Sequence, residues 1–260
     1  MQCQSILWFH LLFVCVSVLV VGTNKMGCIW SSSSSTQEQE EQGSTLNHQK
    51  RPVSNNNNNN NNLSPVVVYD RLPPNAEKYG VRNVYDGDTL TLVNGKRVRF
   101  LGIDTPEIKE KQAFAQEAKT YTKDLCDKKE IWISYEPGYD KQDHYGRLLA
   151  FVWVRTSKGK YLCVNEGLVQ QGLASFYSPK KSPKLHNYDR LLAMQKTARA
   201  KRVGIWKHFK DYTVVKTPYG SAFHKPSCKH LSNSKNTIKI MASQGLDDGL
   251  HPCRTCLADA

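Results

Sequence analysis

Leu90 and Leu92, then Val98 and Phe100, fall at every second position on either side of Asn94-Gly95. Period-2 spacing marks a half-buried strand, and Asn-Gly is the favoured turn of a two-residue hairpin. The pattern predicts strands over 88–93 and 96–101, preceded by one over 81–85. A two-residue turn would set Val93 opposite Lys96, Leu90 opposite Arg99 and Asp88 opposite Leu101. Asp88 and Arg99 would then share a face as diagonal neighbours, ~7–8 Å apart at Cα, with Asp86 pointing the same way. Further on, 113–126 reads as a helix, and 130–135 and 148–155 as strands around a polar loop carrying Asp143 to Arg147. Ser157-Lys158-Gly159 turns the chain into a short strand at 161–164. Asn165 is placed to cap a helix running to Gly172, and a longer helix covers 185–203 with Gly204 as its stop. Strands with one helix inserted and helices trailing predict an α+β, mainly β chain built on a small Greek-key barrel of OB type.

Before Val66 the pattern is different. Ile6 to Val21 is an apolar run broken only by His10 and Ser17, short for a spanning helix and right for a signal-peptide core or short signal-anchor. No Lys or Arg precedes it. Five serines, a Gln/Glu stretch and Asn55–Asn62 follow, too polar to bury a core, which predicts a disordered tether. The expected organisation is a leader over 1–25, a linker over 26–63, a barrel domain over 64–213 and a small module over 214–260.

The formal charge is +13, and Lys25, Lys50 and Arg51 balance Glu38, Glu40 and Glu41. The excess therefore lies after residue 63, which favours a polyanionic partner such as nucleic acid or anionic lipid. The eight cysteines do not form a disulfide framework: only Cys228, Cys253 and Cys256 cluster, at metal-site spacing. Cys126 and Cys163 read as buried apolar residues, with a bridge left open for an oxidising compartment.

Chemistry concentrates in Tyr85-Asp86-Gly87-Asp88-Thr89, Arg99, Asp104-Thr105-Pro106-Glu107 and His144-Tyr145-Gly146-Arg147. Carboxylate oxygens suit a hard divalent cation, arginine forks suit phosphate, and a further carboxylate can act as a base toward water. Cation, phosphate and base together describe a phosphodiesterase.

Through these motifs, residues 66–208 resemble the staphylococcal nuclease family. Asn165-Glu166-Gly167-Leu168-Val169, Gly172-Leu173-Ala174 and Gly204-Ile205-Trp206 extend the match. The resemblance implies a five-stranded OB barrel with three helices. It implies calcium held by Asp88, Asp104 and the Thr105 carbonyl, with Glu107 as general base and Arg99 and Arg147 as phosphate clamps. It also implies hydrolysis of DNA and RNA to 3′-phosphate ends. Tyr177 stands where the family places a nucleotide-side tyrosine, although Ala174 to Pro179 is compressed and the segment after Glu107 is shortened. The alternative is a catalytically silent relative that only binds nucleic acid. Such domains typically lose carboxylates or arginines, and all six positions are present here.

His224-x₃-Cys228 and Cys253-x₂-Cys256 offer four N/S ligands in two short pairs, as a closed tetrahedral zinc site requires. Residues 214–260 are too few to build a core unaided, so a structural Zn²⁺ also answers a stability problem. The segment is similar to the metal-binding domain of the Ada DNA-repair protein, which has cysteine where His224 stands. His230 and His251 remain rival ligands, and a Cys253–Cys256 disulfide remains open for an exported chain.

The leader predicts export or membrane association of a monomer. A start at Met26 would instead expose Met26-Gly27-Cys28-Ile29-Trp30-Ser31, a myristoylation signal with an adjacent palmitoylatable cysteine, for attachment at the plasma membrane.

Overall fold

A computed structural model describes residues 66–178 and 184–257. The leader, the linker and the Met26 motif lie outside the described residues. The elements in chain order are β1 (Glu77–Val84), β2 (Thr89–Leu92), β3 (Arg97–Phe100), β4 (Ile103–Asp104), α1 (Ala115–Cys126), β5 (Glu130–Ser134), β6 (Leu148–Arg155) and β7 (Tyr161–Cys163). There follow α2 (Val164–Gln170), β8 (Ser175–Phe176), α3 (Tyr188–Ala200), β9 (Thr213–Lys216), β10 (Ala222–His224), β11 (Ile238–Met241), α4 (Ala242–Asp247) and β12 (His251–Pro252).

The main sheet runs β3-β2-β1-β5-β6-β7, and a parallel β3–β6 pairing closes it into a five-stranded barrel with β7 outside. All four residues of β2 are buried, and β6 is buried along most of its length. Closure gives β6 one face toward the barrel interior, while α2 covers it from outside. The core comprises Leu90, Leu92, Val98, Phe100, Ile131, Ile133, Phe151 and Val152 together with helix residues Ala118, Leu168 and Leu191. The barrel and its three helices agree with the fold that the sequence predicts.

Three local expectations differ from the structure. The hairpin pairs Thr89 with Arg99 and Leu90 with Val98, one residue away from the expected register. The turn spans Val93, Asn94 and Gly95, with Gly95 at φ 86° and its amide donating to Leu92 O. Asn-Gly here builds a three-residue turn that ends in the left-handed region, which shifts every partner by one. Asn165 does not cap α2. It lies buried within the helix, accepts a bond from Val152 N, and donates to Leu101 O and Ala150 O. Gly204 is not the stop of α3. The helix closes at Arg202, φ 53°, with Val203 N bonded back to Ala198 O in the Schellman pattern. Gly204 instead lies against Gly172, whose carbonyl accepts from Ile205 N.

The C-terminal module is a four-stranded sheet, β11-β9-β10-β12, with α4 packed on it. Its apolar side is continuous with the end of α3: Ala198 and Trp206 share a cluster with Val214, Phe223, Ile240, Leu246 and Leu257. Gln195 ties both sides, accepting from Phe176 N and donating to Leu246 O.

Candidate active site and metal centre

Asp88 sits at the entry of β2, where a tight loop rather than the strand pleat directs its side chain. Gly87 makes that loop possible. A methyl there would come within 2.8 Å of Ala118 Cβ and 2.9 Å of Thr105 Cβ, so only glycine lets α1 and the Thr105 segment press against it. Thr122 of α1 then donates its hydroxyl to Gly87 O. Asp88 is buried, and its Oδ2 accepts from Thr105 N at 2.9 Å and Thr105 Oγ1 at 3.0 Å. Its Oδ1 accepts one bond, from Thr89 Oγ1, and so retains lone-pair capacity.

Arg99 projects from β3 into the same cluster. Nη1 donates to Phe100 O and Ile103 O and lies 3.1 Å from Asp88 Oδ2, while Nη2 meets Asp104 Oδ1 at 2.6 Å. Asp104 is placed by the pairing of β4 with β8, where it opposes Ser175. The expected Asp88–Arg99 neighbourhood is therefore present despite the shifted register, because the loop and not the pleat aims Asp88.

Glu107 lies exposed on the loop that follows, its amide bonded to Gln112 Oε1. Its carboxyl is raised above the ordinary glutamate value by desolvation first, and then by Asp88 and Asp104. Asp86 is pushed up to about 6 by burial and by the Asp88 carboxylate. Asp86, Asp88, Asp104 and Glu107 thus crowd together.

Arg147 stands apart from this contact chain. Its Nε and Nη2 both reach Asp143 Oδ2 at 2.7 Å, and its guanidinium lies 5.4 Å from the Tyr145 ring centroid. Burial opposes the Asp143 charge, but bonds from Arg147 outweigh it and hold Asp143 below the ordinary carboxylate range. Arg147 ends the loop just before β6, whose Leu149 pairs with Arg99 of β3.

Sequence reasoning missed one arginine. Arg254, in the turn between Cys253 and Cys256, puts Nη2 3.0 Å from Asp104 Oδ1 and 2.9 Å from Oδ2. Its guanidinium lies 4.9 Å from the centroid of Tyr177, which also packs on His251. An arginine inside a C-x₂-C turn was the available signal, but nothing in one sequence says which surface that turn meets. Arg99 thus touches both Asp88 and Asp104, and Arg254 touches Asp104, while Asp86 and Glu107 add carboxyl groups whose charge this cluster resists. The crowding of like charges and the all-oxygen donor set fit a divalent hard cation such as Ca²⁺.

In the module, Phe223 of β10 pairs with Pro252 of the parallel β12, with His224 the last residue of β10 and Cys253 the first beyond β12. One ligand atom from each of His224, Cys228, Cys253 and Cys256 lies within 4.8 Å of the others. Cys228 and Cys253 sulfurs are 4.0 Å apart, close to the ~3.8 Å that two thiolates ~2.3 Å from one zinc would keep. His224 Nδ1 is buried without a protein partner. Burial, then His230 and His251, hold this imidazole below its usual value and so neutral, the form that ligates. Burial would raise the Cys253 thiol, but amides of Cys256 and Thr255 and the neighbouring thiols hold it low. Cys256 is pushed up to about 11, chiefly by burial. The donor set fits zinc. His230 instead contacts Thr255 Oγ1, and His251 turns to Pro252 O. All five described cysteines are free thiols, including the buried Cys126 and Cys163.

The fold is a five-stranded OB-type barrel in which Asp88, Asp104, Arg99 and Arg254 meet in one cluster. Residues 97–208 match the staphylococcal nuclease homologue family. The chain is 33% identical over 144 residues to "Thermonuclease" of Staphylococcus hyicus, covering 52% of this chain and 78% of that protein. It is 30% identical over 138 residues to "Thermonuclease" of Staphylococcus intermedius, covering 50% and 77%. Identity to "Endonuclease YncB" of Bacillus subtilis is 34% over 128 residues, covering 46% and 57%. The chain belongs to the staphylococcal nuclease family.

Proposed function

We propose that the chain is a calcium-dependent nuclease that hydrolyses phosphodiester bonds of DNA and RNA to 3′-phosphate ends. Family membership, with relatives named thermonuclease and endonuclease, supports nuclease activity in general. The observation that carries the finer reading is the cluster of Asp88 and Asp104 on Arg99, with the raised carboxyls of Asp86 and Glu107 beside it. Asp88, Asp104 and the Thr105 carbonyl would hold Ca²⁺, which supplies a positive charge to polarise the scissile phosphoryl oxygens. Thr105 also fixes Asp88 in place through its amide and hydroxyl. Exposed Glu107, its carboxyl already raised, takes a proton from water. Arg99 has five N–H donors and spends three on Phe100 O, Ile103 O and Asp104, so two remain for phosphate. Arg147, pre-aligned by Asp143 in the loop before β6, binds the phosphate as well. Attack on a phosphodiester monoanion adds negative charge, which the two guanidiniums would offset.

Zinc on His224, Cys228, Cys253 and Cys256 serves the module as a structural metal. Among the described residues no helix is long and apolar enough to cross a membrane, and the proposed membrane association rests on the N-terminal segment alone. N-terminal mapping of the native protein tests it: a start near Thr23 or an acylated Gly27 supports the two routes, and an unmodified soluble Met1 form overturns both.

Incubating the full chain with DNA and with RNA tests the function. Cutting is expected with calcium and absent in chelator, with 3′-phosphate ends. Cutting that persists in chelator overturns the calcium assignment, and binding without cutting in calcium favours the silent alternative.

A further inference from the structure

Arg254 contacts a carboxylate of the barrel site although it belongs to the Cys/His module, 150 residues further along the chain. The contact is held from both sides. On the module side, Cys253 N donates to Phe223 O and Leu257 N donates back to Cys253 O, which fixes the turn that carries Arg254. On the barrel side, the guanidinium lies over Tyr177, whose own amide is bonded to Gly102 O. Only Nη2 engages Asp104, so among the described residues Nε–H and both Nη1–H have no protein acceptor. The side chain is 64% exposed, and its open edge is a planar fork suited to phosphate. A divalent cation arriving at Asp104 would compete with the guanidinium for that carboxylate, and a phosphodiester would supply a replacement anion.

Resting on the nuclease reading, we propose that Arg254 is a third phosphate-binding arginine of the active site, delivered by the Cys/His module. The metal of that module fixes the 253–256 turn and thereby keeps the guanidinium within reach of the substrate. Tyr177 acts as the platform on which Arg254 rests, which accounts for its place between barrel and module.

The test measures binding of a fluorescent single-stranded DNA oligonucleotide to the full-length, zinc-loaded Glu107→Gln protein in calcium, over a series of salt concentrations. Loss of a charge-assisted contact predicts that Arg254→Ala weakens binding by about tenfold or more. The slope of log affinity against log salt should fall by about 0.7, the contribution of one phosphate contact on a single strand. Arg254→Lys should keep the slope and lose part of the affinity. Cys256→Ser should reproduce Arg254→Ala, and combining the two should add nothing. Unchanged affinity and slope in Arg254→Ala would overturn the proposal, whatever happens to calcium affinity. Additive losses in the double variant would overturn delivery by the module. Because binding is read without turnover, absence of cutting by the chain with Glu107 intact would sink the nuclease reading separately.

Discussion

Asp143 shows how one carboxylate can serve a site it does not enter. It holds the Arg147 guanidinium through two contacts to Oδ2 and accepts the amides of Tyr145 and Arg147 on Oδ1. Its folded value lies below the ordinary carboxylate range, so folding favours its charged form. The stability it contributes is present above its unfolded value of about 3.9 and is lost as pH falls through the folded value. Asp143→Asn should therefore flatten the acid limb of a stability–pH curve, read by denaturant unfolding between neutral pH and pH ~3. Freed from its anchor, Arg147 should also bind substrate less well, with activity down by roughly tenfold, since charge-assisted pairs of this kind are worth about 1.5–3 kcal/mol. An unchanged acid limb would show that the Asp143–Arg147 pair is not formed in solution.

At the scale of elements, Asn165 is the best case of a residue doing something its local pattern does not announce. It looks like a helix cap and is a clamp, joining α2 to backbone groups of β6 and to Leu101, just before the Asp104 segment. Asn165→Ala strands the buried Val152 amide and the Leu101 carbonyl, while Ala150 O keeps its bond from Leu101 N, and should cost about 2–3 kcal/mol in chemical denaturation, at roughly 1–3 kcal/mol for each group left unpaired. A cost below about 0.5 kcal/mol would mean that water or a shift of α2 replaces the clamp. The strands themselves were legible, because Leu90, Leu92, Val98 and Phe100 keep the period of a buried sheet face. The register was not, because one left-handed residue at Gly95 decides whether the turn has two members or three. The ending of α3 was hidden for a similar reason: Arg202 takes the left-handed position that glycine usually fills, and Gly204 is needed for close packing on Gly172. The candidate site was legible as residue types, since carboxylates, arginines and the His/Cys pairs stand in short motifs. Arg254 was not, because its role comes from where the module docks.

The whole molecule joins barrel and module through shared apolar packing and through the Arg254 contact. Zinc removal should therefore be felt beyond residues 214–260. Cys253→Ala should lose about one zinc per chain by metal analysis, at a ligand set of four. Hydrogen exchange should quicken in β9 to β12 and also in the last turns of α3, where Ala198 packs into the module's cluster. Retained zinc would remove Cys253 from the ligand set, and exchange unchanged in α3 would mean that the shared core does not couple the two parts.

In the proposed function, the carboxylate–arginine cluster of this barrel is the site of phosphodiester hydrolysis, with Glu107 activating the water. The rate of DNA cutting by Glu107→Gln relative to the wild-type chain, in saturating calcium, tests it most directly. Removal of a general base predicts a loss of at least ~10²-fold, with the protein folded and still binding oligonucleotide. Cutting at the wild-type rate would contradict the account and take Glu107 out of the mechanism.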